Sequence, residues 1–132
     1  MTKVSFNVMA LLFAAAVVCP AQITIIEYPV PNPLGRLAGI TAGPDGNLWF
    51  AESYGNNIAR ITTAGVVTNE FPIPSNGIYN NGSTYGGITK GPDGNLWFVE
   101  YFGQNIGRIT PAGVITEFPT GFNFPVQIAI GS

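Results

Sequence analysis

From Gly39 onward the chain is a succession of short apolar runs separated by brief polar turns. Gly39–Gly43, Leu48–Glu52, Ile58–Thr62 and Val66–Phe71 form a first set, and Leu96–Glu100, Ile106–Thr110 and Val114–Phe118 repeat its last three members. Each run has the length of a strand and is rich in β-branched or aromatic residues. The runs are nearly continuous in apolar character and lack the in-out alternation of a sheet with one wet face. Continuous runs belong to strands covered on both sides. The segments between them are turn formers. In Gly43-Pro44-Asp45-Gly46, Pro presets φ, Asp bonds its own backbone and Gly accepts positive φ.

The pattern is a repeat. Gly39 to Thr68 reads GITAGPDGNLWFAESYGNNIARITTAGVVT, and Gly87 to Thr116 reads GITKGPDGNLWFVEYFGQNIGRITPAGVIT, 48 residues later. Each copy runs into Glu-Phe-Pro, at 70–72 and 117–119, and a third such tail, Glu27-Tyr28-Pro29, stands near the start. A period above 40 with four short strands per unit predicts an all-β, partial β-propeller. Two four-stranded blades are expected over 39–72 and 87–119. Flanking single strands extend the repeat: 23–30 matches a preceding blade's last strand, and 125–131 matches a following blade's first. The whole unit then covers residues 22–132. Two blades cannot close a ring, so unpaired edges and apolar faces are expected to remain. Either copies of the chain associate to finish the ring, or the reading frame is partial; the second is the favoured expectation.

Composition narrows the chemistry. Charged residues make up 9% of the chain and the net charge is −2. With no basic run, the counterion release that drives nucleic-acid binding has no source. One cysteine and no histidine leave no internal disulfide and no Cys/His zinc cluster. No side chain titrates near neutrality unless its environment shifts it.

At the N-terminus, Lys3 precedes an apolar run from Phe6 to Cys19, followed by Pro20-Ala21-Gln22. This is the layout of a signal peptide, a helix over residues 1–21 cleaved after Ala21. The mature chain would be secreted or periplasmic, with no membrane span, because the run falls short of the roughly 20 apolar residues a bilayer requires.

Several residues are candidates for chemistry. Glu52 and Glu100 end the second strand of their blades, on the side where loops gather, and two carboxylates there would suit a hard metal cation. The structural alternative places Glu52 diagonal to Arg60, and Glu100 to Arg108, as cross-strand charge pairs. Asp45 and Asp93 are accounted for by their turns, and Trp49 and Trp97 read as core. An insertion, Ser75 to Tyr85, breaks the repeat on the same side. Tyr79 and Tyr85 within it, with Tyr54 and Tyr101 in neighbouring loops, are the candidate contacts for a small-molecule, peptide or glycan ligand. No catalytic residue is assigned, and no cofactor is expected for the chain alone.

The string Gly-Pro-Asp-Gly-Asn-Leu-Trp-Phe-x-Glu, then Asn-x-Ile-x-Arg-Ile-Thr, then Gly-x-x-Thr-Glu-Phe-Pro resembles the repeat of the virginiamycin B lyase (streptogramin lyase) family. The resemblance covers nearly all of Ile23 to Ser132. It implies a seven-bladed propeller and an elimination that opens a cyclic depsipeptide antibiotic at its ester, with Mg2+ and an acting histidine. This chain has no histidine to match. The expectation is therefore a non-catalytic, exported binding or assembly module, with lyase activity only when further blades complete it.

Overall fold

In a computed structural model, residues 23–31, 36–75 and 87–131 are described. The signal-peptide helix expected over residues 1–21 lies outside them, as do Tyr79 and Tyr85. The described chain holds eight strands: β1 (Leu37–Ala42), β2 (Leu48–Glu52), β3 (Asn57–Ile61), β4 (Val67–Pro72), β5 (Ile88–Lys90), β6 (Leu96–Glu100), β7 (Asn105–Ile109) and β8 (Ile115–Pro119). They form two four-stranded antiparallel sheets in simple sequential order, β1-β2-β3-β4 and β5-β6-β7-β8. Each sheet is one blade.

The turns do what their residues predict. Asp45 Oδ1 accepts from the Trp49 indole Nε1 at 2.9 Å and from the Asn47 backbone N at 3.3 Å, and Oδ2 accepts from Asn47 Nδ2 at 2.9 Å. Asp93 repeats this with Trp97 and Asn95. The aspartate thus fixes both the turn and the tryptophan that follows it. In the β2–β3 and β6–β7 hairpins, Asn56 and Gln104 adopt left-handed φ of 53° and 56°. Their carbonyls then accept from the chain leaving the last strand, at Ile73 N and Thr120 N.

Register decides which side chains share a face. Trp49 lies opposite Arg60, and Arg60 opposite Asn69; Phe50 lies opposite Ala59, and Ala59 opposite Glu70. One face of the first blade therefore carries Trp49, Ala51, Ile58, Arg60 and Phe71. The other carries Leu48, Phe50, Glu52, Ala59, Ile61 and Glu70. The same parity holds in the second blade, with Trp97 opposite Arg108 and Phe98 opposite Gly107.

The two blades stack face to face. Trp49, Ala51 and Ile58 of the first share one core with Ile88, Leu96, Phe98 and Ile109 of the second. The innermost strands β1 and β5 lie beside each other, as first strands around a common axis must. At the rim, Phe71 sits so close to Gly113 that a Cβ there would lie 2.1 Å from the ring, and Gly113 has φ of 88°. Only glycine suits that seat. Arg60 crosses the junction to donate to the Pro111 carbonyl at 3.3 Å.

The flanking segments are partly placed as the repeat predicts, but neither pairs into a sheet. Tyr28 nevertheless packs on Gly65, and Val30 packs against Phe50, Ala59 and Ile61. That is how Phe71 treats Gly113 one blade later. At the other end Ile128–Gly131 lies against Thr89, Gly91 and Trp97, leaving a cleft of about 260 Å³.

Candidate functional site

The loops after β2 and β6 and the chain leaving β4 meet at one end of the blades, and buried carboxyls sit beneath them. Glu100 is fully buried. Its Oε2 accepts from Ser75 Oγ at 2.6 Å and from Asn105 Nδ2 at 2.9 Å, while Oε1 has no partner among the described residues. The neighbouring carboxyl of Glu117 accepts from the Ser75 backbone N at 2.8 Å. Ser75 belongs to the segment joining the blades, so it ties that segment to both carboxyls of the second blade. Burial, followed by the proximity of Glu117, pushes the Glu100 carboxyl above its ordinary value, although the Ser75 and Asn105 hydrogen bonds oppose the shift.

Glu52 occupies the matching place in the first blade, with Glu70 as its companion. It too is fully buried, and neither carboxyl oxygen finds a hydrogen bond among the described residues. Burial first, and the Glu70 charge second, push it upward.

The expected Glu52–Arg60 and Glu100–Arg108 charge pairs do not form. The partner of Arg60 is Trp49, three residues before Glu52, and an odd separation along a strand puts Glu52 on the opposite face. Arg60 instead joins Asp45 at 3.3 Å and lies 5.4 Å from the centre of the Trp49 ring, which itself stacks on Phe71 at 5.5 Å. Arg108 similarly lies over Trp97 and Phe118. The Asp45 and Asp93 carboxyls are lowered from their ordinary value by their own turns. At Asp45 burial works against this, but the Asn47 and Trp49 hydrogen bonds outweigh it; at Asp93 the hydrogen bonds from Asn95 and Trp97 lead.

The candidate residues are not gathered at one point. Glu52 and Glu100 lie in separate blades, each beside its own partner carboxyl. Among the described residues no group of three His, Cys, Asp or Glu could hold a metal ion. Tyr54 is exposed beneath the Arg36 guanidinium, at 5.9 Å. Tyr101 lies in an aromatic cluster with Phe102 and Phe124, both at 4.9 Å. Glu70, Glu117 and Ser75 are the members that the sequence reading missed. The recurring Glu-Phe-Pro tail was the signal for the two glutamates, since each stands at the same place in its last strand, on the face that carries the glutamate ending the second strand; Ser75 had no such signal.

Comparison with known proteins agrees with this architecture. The virginiamycin B lyase family matches residues 18–132. The chain belongs to that family. Virginiamycin B lyases of Bordetella parapertussis and Saccharopolyspora erythraea are 42% identical over 53 residues and 48% identical over 46 residues. Those alignments cover 40% and 35% of this chain but 17% and 15% of the respective lyases. Among solved structures, a catalytically inactive variant of the Staphylococcus aureus virginiamycin B lyase, determined with quinupristin, superposes with a TM-score of 0.74 at 45% identity. It matches 83% of this chain and 36% of its own. A streptogramin B lyase superposes with a TM-score of 0.63 at 38% identity, over 82% of this chain and 35% of its own. The chain thus spans about a third of the solved lyases it matches.

Proposed function

We propose that the chain is a non-catalytic assembly module: two consecutive blades of a virginiamycin B lyase-type propeller, presenting outer faces to further blades. One observation carries this reading. At two pairs of positions that are identical in the repeat, exposure differs according to whether a neighbouring blade covers them. Ile40 is 61% exposed where Ile88, covered by the first blade, is 6% exposed. Trp49 is completely buried against the second blade, whereas Trp97, which no blade among the described residues covers, is only half-buried. An exposed apolar face of this composition is a docking face.

Opening of a streptogramin B ring belongs to this reading only when further blades complete the site. The absence of histidine supports that order. Export is part of the same proposal, supported by the Lys3-led apolar run of the sequence.

The test is a chimaera. Residues 37–119 should replace the corresponding blades of a full-length virginiamycin B lyase and yield a soluble protein with one cooperative thermal transition, while the isolated chain leaves a streptogramin B intact. Ring opening by the isolated chain, or a chimaera that cannot fold, would overturn the proposal.

A further inference from the structure

The geometry points to a second copy of this chain as the occupant of both open faces, docked head to tail. This rests on the assembly reading above and names its partner. The junction between the blades supplies the template. Its one side is the Trp49, Arg60 and Phe71 face of the first blade; its other side is the Leu96, Phe98 and Ile109 face of the second. The chain carries each side once more on its outer faces, one of them partly roofed by residues 23–31, which leave Phe50 and Ile61 buried but Ile40 exposed. Trp97, Arg108 and Phe118 reproduce the first side on the far face of the second blade, with the same stacking of Trp97 on Phe118 at 5.6 Å. Leu48, Phe50 and Ile61 reproduce the other side on the far face of the first blade. The two open faces therefore complement each other and not themselves. That makes the contact heterologous, so it propagates into a ring or a chain.

The template also fixes the contacts. Arg60 donates to the carbonyl of Pro111 in the next blade, and Thr63 is the residue at that place in the first blade. Arg108 of one copy would donate to the Thr63 carbonyl of the next. Its Nε is now buried with no partner among the described residues. Phe71 seats on Gly113, so Phe118, 40% exposed in the single chain, would seat on Gly65 of the next copy.

That seat is already taken by Tyr28 of the same chain. The strap covers only the outer part of the face. A cleft of about 270 Å³ remains between Tyr28, Val30, Leu37 and Ile40, and Ile40 stays exposed. Residues 23–31 thus act as a placeholder, and Phe118 of an incoming copy competes with Tyr28 for Gly65.

The experiment is sedimentation velocity on the mature chain and three variants. Wild type should associate in a concentration-dependent way. Ile40→Lys spoils one face and Phe118→Lys the other, so each should be monomeric alone. Their equimolar mixture still pairs one intact face of each kind and should give a heterodimer and nothing larger. Both substituted positions are exposed in the single chain, and heterodimer formation itself certifies that both variants fold. Tyr28→Ala frees the Gly65 seat and should tighten wild-type association about fivefold. A wild type that stays monomeric, a single-face variant that still self-associates, or a Tyr28→Ala variant no tighter than wild type would each overturn the head-to-tail contact. The chimaera described above would still fold in that event, so the partner and the module are judged separately.

Discussion

Glu100 is the residue whose surroundings most clearly leave a solution signature. In the unfolded chain its carboxyl titrates near the ordinary 4.5, and in the folded chain burial and Glu117 hold its proton to higher pH. Between those two values the folded state binds more protons than the unfolded state. The stability this group contributes is therefore complete below about 4.5 and is lost as pH rises through the elevated value. Glu100→Gln keeps an acceptor for Ser75 and Asn105, gains an N–H directed at the Glu117 side, and has no proton to lose. Urea unfolding at pH 5 and pH 7 should show the wild type losing more stability than the variant on going up, with the variant ahead at pH 7 by about 1 kcal/mol. A wild type that gains on the variant over that range would contradict the buried pair.

At the scale of elements, most of the architecture was legible. Leu48–Glu52 and Leu96–Glu100 match β2 and β6 residue for residue, because Gly-Pro-Asp-Gly-Asn fixes where each begins and a Gly/Asn loop where each ends. The third and fourth strands are displaced by a single residue, and this small error matters for chemistry. Register has a period of two, so the pairing of Arg60 with Trp49 rather than with the region of Glu52 turns a supposed ion pair into two unrelated environments. Propensity says that a hairpin exists, but the length of its loop sets which side chains meet. The turn aspartates show how one element behaves in two settings. Asp45→Ala removes the acceptor of a fully buried indole N–H and should cost about 2 kcal/mol. Asp93→Ala leaves the half-buried Trp97 able to reach water and should cost less. Thermal denaturation of the two variants decides this; equal losses would mean that the two tryptophans are equally covered.

For the molecule as a whole, the period of the repeat made the stacked blades legible, and the uncovered faces followed from counting strands. The carboxyl pairs did not follow, because they need residues from β2 and β4 of one blade and, in the second blade, Ser75 from the segment between blades. The expected ligand tyrosines Tyr79 and Tyr85 lie outside the described residues, and Tyr54 and Tyr101 sit in different surroundings, so the ligand reading gains no common site from the fold. The central claim is that the two near-identical stretches are neighbouring sheets packed face to face. Its most direct test is a nuclear Overhauser spectrum read at the junction. The Phe71 ring protons should show strong cross-peaks to Gly113 Hα, and that Hα should be displaced by the ring current, since the ring lies where a Cβ would otherwise stand. No cross-peak between the two stretches, with Gly113 Hα at its ordinary position, would contradict the stacked arrangement.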